Sequence, residues 1–482
     1  MKLLDLRSGD WPTLARRLAP LAAALALLAW YLFALTYSWQ SGSFFISRDQ
    51  WHFLPLVEHY LSGNFDWHEL WDSHSEHVKP GYKLLFMLNA KYLGLDMRVE
   101  VMAGMLLLGV LTLWLLREMR KPGTAGAHMP WLAWLTAGAV MMSFNQWANY
   151  GYGLLALGGF GGTLIQLGLF IGFSHLLLRG LKTWEAAVWV LLLLLGIFGF
   201  SGARGPAVVG SCLLAAGAAY LLDPTARRRI LRIGVPFLVL GAACIGVYLK
   251  LLQLPSGRHI DIGTELQAIL SEPLGALAYA AGIVAESMVN LTESAGIIRS
   301  QAGFWMLVLF ACLLLGWSLW RYFRAGLWRE SWVPLMLIGY SAAFTLEILV
   351  GRFGSDNNVL RGWLVPRYVF DSHLWLVGCA WILGLDWMAS GARIGRRRRQ
   401  ATIVMLTVVL VLEFMNLRAA HRSMPFQAKA AAAVETQLQA VGKGTLDPDT
   451  LPKWECPNPH LCQQGIDTLV HYHLDFARDM QP

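Results

Sequence analysis

Apolar stretches recur along the chain, each near the ~20 residues a helix needs to cross the hydrocarbon core of a bilayer. They fall at 19–38, 99–116, 131–147, 155–178, 184–201, 206–222, 234–252, 303–321, 332–350, 370–388 and 401–416. A bilayer offers no water to backbone groups, so spanning segments of this kind are helices that satisfy themselves internally. The pattern therefore predicts an all-α polytopic membrane protein of about eleven transmembrane helices. The halves of 184–222 are separated only by "SGARGPA", and a single broken or re-entrant segment is the alternative there.

Polar positions bunch in four places: a first loop at 39–98, a second at 253–302, a third at 351–369, and a tail at 417–482. All four fall on one side if the spans alternate. The connections on the other side are short. This divides the chain into a transmembrane module, 1–416, and a small helical C-terminal segment, 417–482, expected to pack on the loops because it is too small to fold alone. Within the first loop, "DQWHFLPLVEHYLSG" carries Trp51, Leu54, Val57 and Leu61 at helical spacing, with Gly63 as a stop. "PGYKLLFMLNAKYLGL" is a second amphipathic stretch, too short to span and suited to the interface. The second loop reads as one or two membrane-hugging helices, with 275–290 apolar enough to dip into the bilayer.

Of the 482 residues, 56% are hydrophobic and only 15% charged, against roughly 25% charged in soluble proteins. With the N-terminus inside, the inner segments hold 21 Lys+Arg and 7 Asp+Glu, and the outer ones 18 and 24. That asymmetry is the positive-inside signature. The net charge of +8 is thus a topology device and gives no reason to invoke nucleic acid. The first apolar run lacks a small-residue cleavage pattern and reads as a retained helix. No inner segment is large enough to bind a nucleotide, and no glycine-rich phosphate motif follows a strand. Four cysteines (Cys212, Cys244, Cys312 and Cys379) lie within spans as packing residues. Cys456 and Cys462 bracket a turn in "CPNPHLC"; a local disulfide is expected, with free thiols or a metal site including His460 as alternatives.

Candidate chemistry concentrates in Ser47–Lys83, which holds five of the thirteen histidines and six carboxylates. Asp49, beyond the first span and between Arg48 and Trp51, can serve as a general base toward a hydroxyl, or as a helix N-cap. "HSEH" brings His74, Glu76 and His77 together; such groups can share a proton, grip sugar hydroxyls or, in a spacing unlike the familiar ones, hold zinc. His52, Glu58 and Lys79 are further substrate-binding candidates. On the same side, Arg204, Arg352, Arg361 and Arg367, with Tyr368, can hold phosphate oxygens, or snorkel toward headgroups. Glu347 and Asp371 stand near enough in sequence to support those arginines. His175 and Glu413 read as packing or interface groups.

With an inward N-terminus, a long first outer loop opening on "SRDQW" with surface helices, about eleven spans, basic outer residues and a small outer tail, the chain resembles the GT-C superfamily of integral-membrane glycosyltransferases. The stretches "WDSHSEHVK" and "RGWLVPRY" are similar to motifs of bacterial members. The resemblance implies a bacterial cytoplasmic (inner) membrane protein with its active face in the periplasm. It implies an undecaprenyl-phosphate-linked sugar donor and a periplasmic glycan, lipid or protein acceptor; no cofactor is expected, with a divalent metal as the alternative. It assigns Asp49 the role of base or acceptor-positioning residue, with Glu76 and His77 as the alternative. Some members carry a second carboxylate where Gln50 stands here. Two other functions compete. One is a ligase or polymerase using undecaprenyl-diphosphate glycans, which needs larger loops. The other is a lipid-linked-sugar transporter or flippase, which predicts charge within the spans and internal symmetry; neither is evident in the sequence.

Overall fold

The computed structural model describes residues 11–72, 78–120, 130–180, 182–200, 204–252, 262–289, 301–353, 366–390, 395–453, 456 and 458–478. Helix is the only regular structure among them. In chain order, α1 (Trp11–Ser41) is followed by a 3-10 turn (Arg48–Phe53), α2 (Leu54–Ser62), a second 3-10 turn (Trp67–Trp71) and α3 (Pro80–Leu93). Then come α4 (Met97–Arg120), α5 (Trp131–Met141), the short α6 (Trp147–Gly151), α7 (Gly153–Arg179) and α8 (Thr183–Leu194), which widens into a π turn (Leu195–Phe200). α9 (Gly205–Leu222), α10 (Pro224–Arg229), α11 (Val235–Leu252), α12 (Ile262–Ser271) and α13 (Pro273–Met288) follow. The last are α14 (Gln301–Arg324), α15 (Val333–Arg352), α16 (Pro366–Ser372), α17 (Leu374–Ser390), α18 (Arg396–Gly442) and α19 (Pro459–His471).

Among the described residues, nine helices are long and apolar enough to cross a membrane, so the molecule is a multi-pass membrane protein. The expected count of about eleven is corrected at two places. The stretch 131–147 holds α5, which has only 11 residues, about 16 Å of helix. It stops because Ser143 accepts from the Asn145 N–H and starts a 3-10 turn, while the Asn145 amide donates to the Glu286 carbonyl. The stretch 184–201 is helical but falls short of a full span at Thr183–Gly199. In the second loop, α12 and α13 bend by 103° at Glu272, a broken span or a re-entrant loop.

Small residues set the tightest packing. A β-carbon on Gly104 of α4 would lie 2.3 Å from the Ala156 carbonyl carbon of α7. Glycine there lets the two backbones touch, which is how helices associate where lipid removes the hydrophobic drive.

The two ends of the bundle differ. At the basic end, Arg321 of α14 and Arg398 of α18 both grip the buried Asp386 of α17. At the loop end, a second apolar core forms outside the bundle. Trp51, Leu54, Val57, Tyr82 and Phe86 of the first loop pack with Val434, Leu438, Ile466 and Leu469 of the C-terminal helices. The 47-residue α18 makes this contact because it does not end with its apolar part. It runs on through the 416/417 boundary and past Pro425, about 70 Å in all. α19 then folds back on α2, so close at Gly465 that a β-carbon would sit 2.6 Å from Leu54. Cys456 and Cys462 are joined in a disulfide at the start of that return. Buried Asp475 accepts a 2.6 Å bond from the Ile46 N–H, and its carboxyl is pushed well above the usual range, first by burial.

Candidate functional site at the loop end

Arg204 stands just before α9, whose first turn opens with Gly205 and Pro206, a residue pre-set for a helix start. Its Nη2 lies 2.6 Å from Asp371 Oδ2, with side chains 14% and 1% exposed. Its Nη1 donates to the Gly159 carbonyl at 3.2 Å. Asp371 in turn accepts from the Tyr340 hydroxyl at 2.6 Å, and its main-chain carbonyl accepts from Ser341. Glu347 lies two turns along α15 from Tyr340, with both carboxylate oxygens buried and within electrostatic reach of Arg204 and Asp371. One guanidinium, at the N-cap of α9, is thus set between two carboxylates, Glu347 of α15 and Asp371 of α16.

The arginine expected to take phosphate is therefore already oriented. At least two of its five N–H donors are committed, and the fork can face only one way. Arg352, at the end of α15, donates to the Tyr368 hydroxyl at 3.2 Å and lies 5.7 Å from that ring's centroid. Arg361 falls outside the described residues, as does the side chain of Arg367. His373, just after α16, is fully buried and edge-on to Phe370. Neither ring nitrogen has a hydrogen-bond partner among the described residues. Sequence reading missed His373 and Tyr340, because a lone histidine or tyrosine in an apolar run carries no local signal.

In the first loop, partly exposed Asp49 rides on the 3-10 turn Arg48–Phe53. The turn is anchored by its neighbour. Buried Gln50 donates to the Tyr82 hydroxyl at 2.9 Å, which donates to Glu100 at 2.6 Å; Asn89 holds the other Glu100 oxygen at 3.0 Å. Burial and the Glu100 charge push the Tyr82 hydroxyl well above its usual pKa, so it stays a donor. This chain ties the turn to α3 and to the first turn of α4. His52 is exposed; exposed Glu58 accepts from Thr468 of α19 at 3.3 Å, a contact between loop and tail. Lys79 precedes α3 at its N-cap position. His74, Glu76 and His77 lie outside the described residues. The residues flanking them are placed: Trp71 packs against Phe198 of the π turn, and the Val78 N–H points to the Tyr248 hydroxyl of α11.

Buried Lys83 fastens the second 3-10 turn to α3, donating to the carbonyls of Glu69 at 2.7 Å and Asp72 at 2.9 Å. Burial pulls its pKa down from 10.5 to about 8, against the opposing charges of Asp72 and Glu69. Between about pH 8 and 10.5 the folded state therefore binds fewer protons than the unfolded one, and stability rises with pH there. We expect the melting temperature to carry this upward contribution between about pH 8 and 9.5, and Lys83→Met to remove it. Identical slopes in the two proteins would refute the assignment.

The two groups meet on α7. A β-carbon on Gly158 would lie 3.9 Å from the Tyr82 ring, and one on Gly159 would lie 3.9 Å from the Arg204 guanidinium. The first loop and the arginine clamp are thus neighbours across two adjacent glycines. The rim pocket near Asp49 is lined by Arg48 and does not include Arg204.

These features define a multi-pass membrane protein that is all-α among the described residues. Compared with known proteins, the chain matches no family model, no curated protein and no solved structure.

Proposed function

We propose that the chain is an integral-membrane glycosyltransferase of the bacterial inner membrane. It has a cytoplasmic N-terminus and moves a sugar from an undecaprenyl-phosphate-linked donor to an acceptor on the periplasmic face. The observation that carries this reading is the meeting on Gly158 and Gly159 of the Arg204 clamp and Tyr82, whose hydroxyl holds Gln50 beside Asp49. Transfer from a phosphate-linked sugar needs two things close together at the membrane surface: a base for the acceptor hydroxyl and a cation for the departing phosphate. Asp49, or Glu76 with His77, takes the acceptor proton. The acceptor oxygen bonds to the anomeric carbon as the bond from that carbon to the phosphate oxygen breaks, inverting configuration. The phosphate leaves with the electron pair, neutralised by Arg204 and by Arg352 with Tyr368. Asp371 and Tyr340 orient Arg204, and arginine forks suit phosphate oxygens.

Purified protein given undecaprenyl-phosphate-linked hexoses and pentoses together with membrane glycan acceptors should release undecaprenyl phosphate. Arg204→Lys should slow that release at least tenfold. Consumption of diphosphate-linked glycans alone would replace this reading with a ligase. The buried carboxylates Glu347, Asp371 and Glu413 favour a transporter as second reading, since charge inside a bundle often marks an ion or substrate path. That reading predicts movement of labelled lipid-linked sugar across vesicles with no new glycosidic bond.

A further inference from the structure

Among the described residues, four that are not glycine hold a left-handed backbone: Arg48 (φ +54°), Leu95 (φ +61°), His473 (φ +52°) and Asp475 (φ +49°). Each is strained, because its β-carbon crowds the following carbonyl oxygen. Such strain persists where the surroundings over-determine it, commonly at functional sites. The four come from three distant parts of the chain and meet at one buckle. The Asp475 N–H donates to the Gly94 carbonyl at 2.9 Å, directly beside Leu95. Asp475 Oδ2 accepts from the Ile46 N–H at 2.6 Å, two residues before Arg48. Arg478 donates through Nε and Nη2 to the same Gly94 carbonyl, at 3.1 and 2.9 Å, and its Nη1 lies 3.6 Å from Asp96 Oδ2. Beneath these bonds, Ile46, Leu95 and Leu474 are buried in one apolar core. The tail thus fastens the corner between α3 and α4 to the segment that leads from α1 to Asp49.

We propose that Asp475 is a positioning residue for Asp49, so that the C-terminal tail sets the aim of the first-loop carboxylate. This inference rests on the glycosyltransferase reading and names a residue that acts on the same site from the far end of the chain. Ile46 lies three residues before Asp49, at most about 10 Å of extended chain, so a shift of its N–H is felt at the carboxylate. Two other holds act on this segment. The Tyr152 hydroxyl donates to the Ser47 carbonyl at 3.0 Å, and Gln50 donates to the Tyr82 hydroxyl at 2.9 Å. Two fixed points leave a segment able to pivot about the line that joins them. The Asp475 bond is a third point off that line and removes the pivot. A base displaced by about 1 Å can lose about 10² in rate, which is what the third hold prevents.

The test compares full-length wild type, Asp475→Gly and Asp475→Asn in detergent, by hydrogen exchange and by sugar transfer. Glycine adopts the left-handed backbone freely, so Asp475→Gly removes the carboxylate without adding strain. Asparagine also tolerates that backbone and keeps an oxygen for the Ile46 N–H. Asp475→Gly should speed amide exchange in 43–53 about fivefold or more, with α2 and α19 unchanged. It should lower kcat by about 10² and leave both KM values within about twofold. Asp475→Asn should restore exchange and kcat together. Wild-type exchange in 43–53, or wild-type kcat, in Asp475→Gly overturns the proposal. So does faster exchange throughout α2 and α19, which makes the tail a general staple, and so does an Asp475→Asn protein with normal exchange and no recovery of kcat. If Asp475→Gly does not fold, the half-exposed Arg478→Gln loosens the same buckle and should shift exchange and kcat in the same directions; no shift in either overturns the proposal. A wild type that transfers no sugar, with the exchange results as expected, removes the glycosyltransferase reading alone and leaves Asp475 setting the Asp49 turn.

Discussion

Asp371→Leu lowers the stability of the folded protein by roughly 3–5 kcal/mol, the cost of leaving one partner of a buried ion pair uncompensated. Arg204 is only 14% exposed and pairs with Asp371 at 2.6 Å; the leucine leaves its charge with the Gly159 carbonyl and the more distant Glu347. Arg204→Met is as damaging for the opposite reason, because Asp371 and Glu347 then face each other without a cation. The double variant Arg204→Met/Asp371→Leu removes both charges and recovers most of the loss, since a well-packed apolar pair often replaces a buried ion pair at little cost. Melting temperatures of the detergent-solubilised proteins provide the cycle. Sugar transfer should stay lost in the double variant even as stability returns. If the cycle is additive, the pair is not coupled and the clamp described here is wrong.

Asp386→Asn should be of similar size, roughly 3–5 kcal/mol, at the far end of the bundle. Asp386 accepts from Arg321 Nη2 at 2.8 Å and Nε at 3.1 Å, and from Arg398 Nε at 2.8 Å, with a further bond from Arg398 Nη2. One carboxylate thus holds two arginines and three helices, α14, α17 and α18. Its loss leaves two cations close together, without the counter-charge they share. The expected result is a large fall in melting temperature and in membrane yield. What still folds should keep the wild-type KM for both substrates, because nothing in this knot reaches the loop end. An unchanged melting temperature would show that the knot does not bind the helices, and a changed KM would show that the two ends are coupled.

The spans were legible because a bilayer forces each crossing to be a long apolar run, and composition alone records that. The early end of α5 was not, since apolar counts do not register Ser143 and Asn145 turning the chain with their side chains. Nor was the length of α18: polarity rises near 417, which looks like the end of a span, while the alanine-rich sequence goes on favouring helix. Asp49 and Arg204 stood out because charge beside apolar runs is conspicuous. Their surroundings were hidden. Gln50, Tyr82 and Glu100 come together only when α3 folds back on α4, and Arg204 finds Asp371 across most of the bundle. The spans had read as nearly free of charge, yet Glu100, Glu347, Asp371, Asp386 and Glu413 are buried within spanning helices. Each lies toward a helix end or beside a polar partner, which a hydropathy profile averages away.

We propose that the ionisable groups of this rim cleave a sugar from a lipid phosphate. Membranes carrying the wild type, Asp49→Asn, Glu76→Gln and the double variant, supplied with an undecaprenyl-phosphate-linked sugar, test it most directly. At least one single variant should lower sugar transfer by about 10²–10⁴, the range a positioned base contributes, with protein levels unchanged. Transfer that stays intact in the double variant would contradict it.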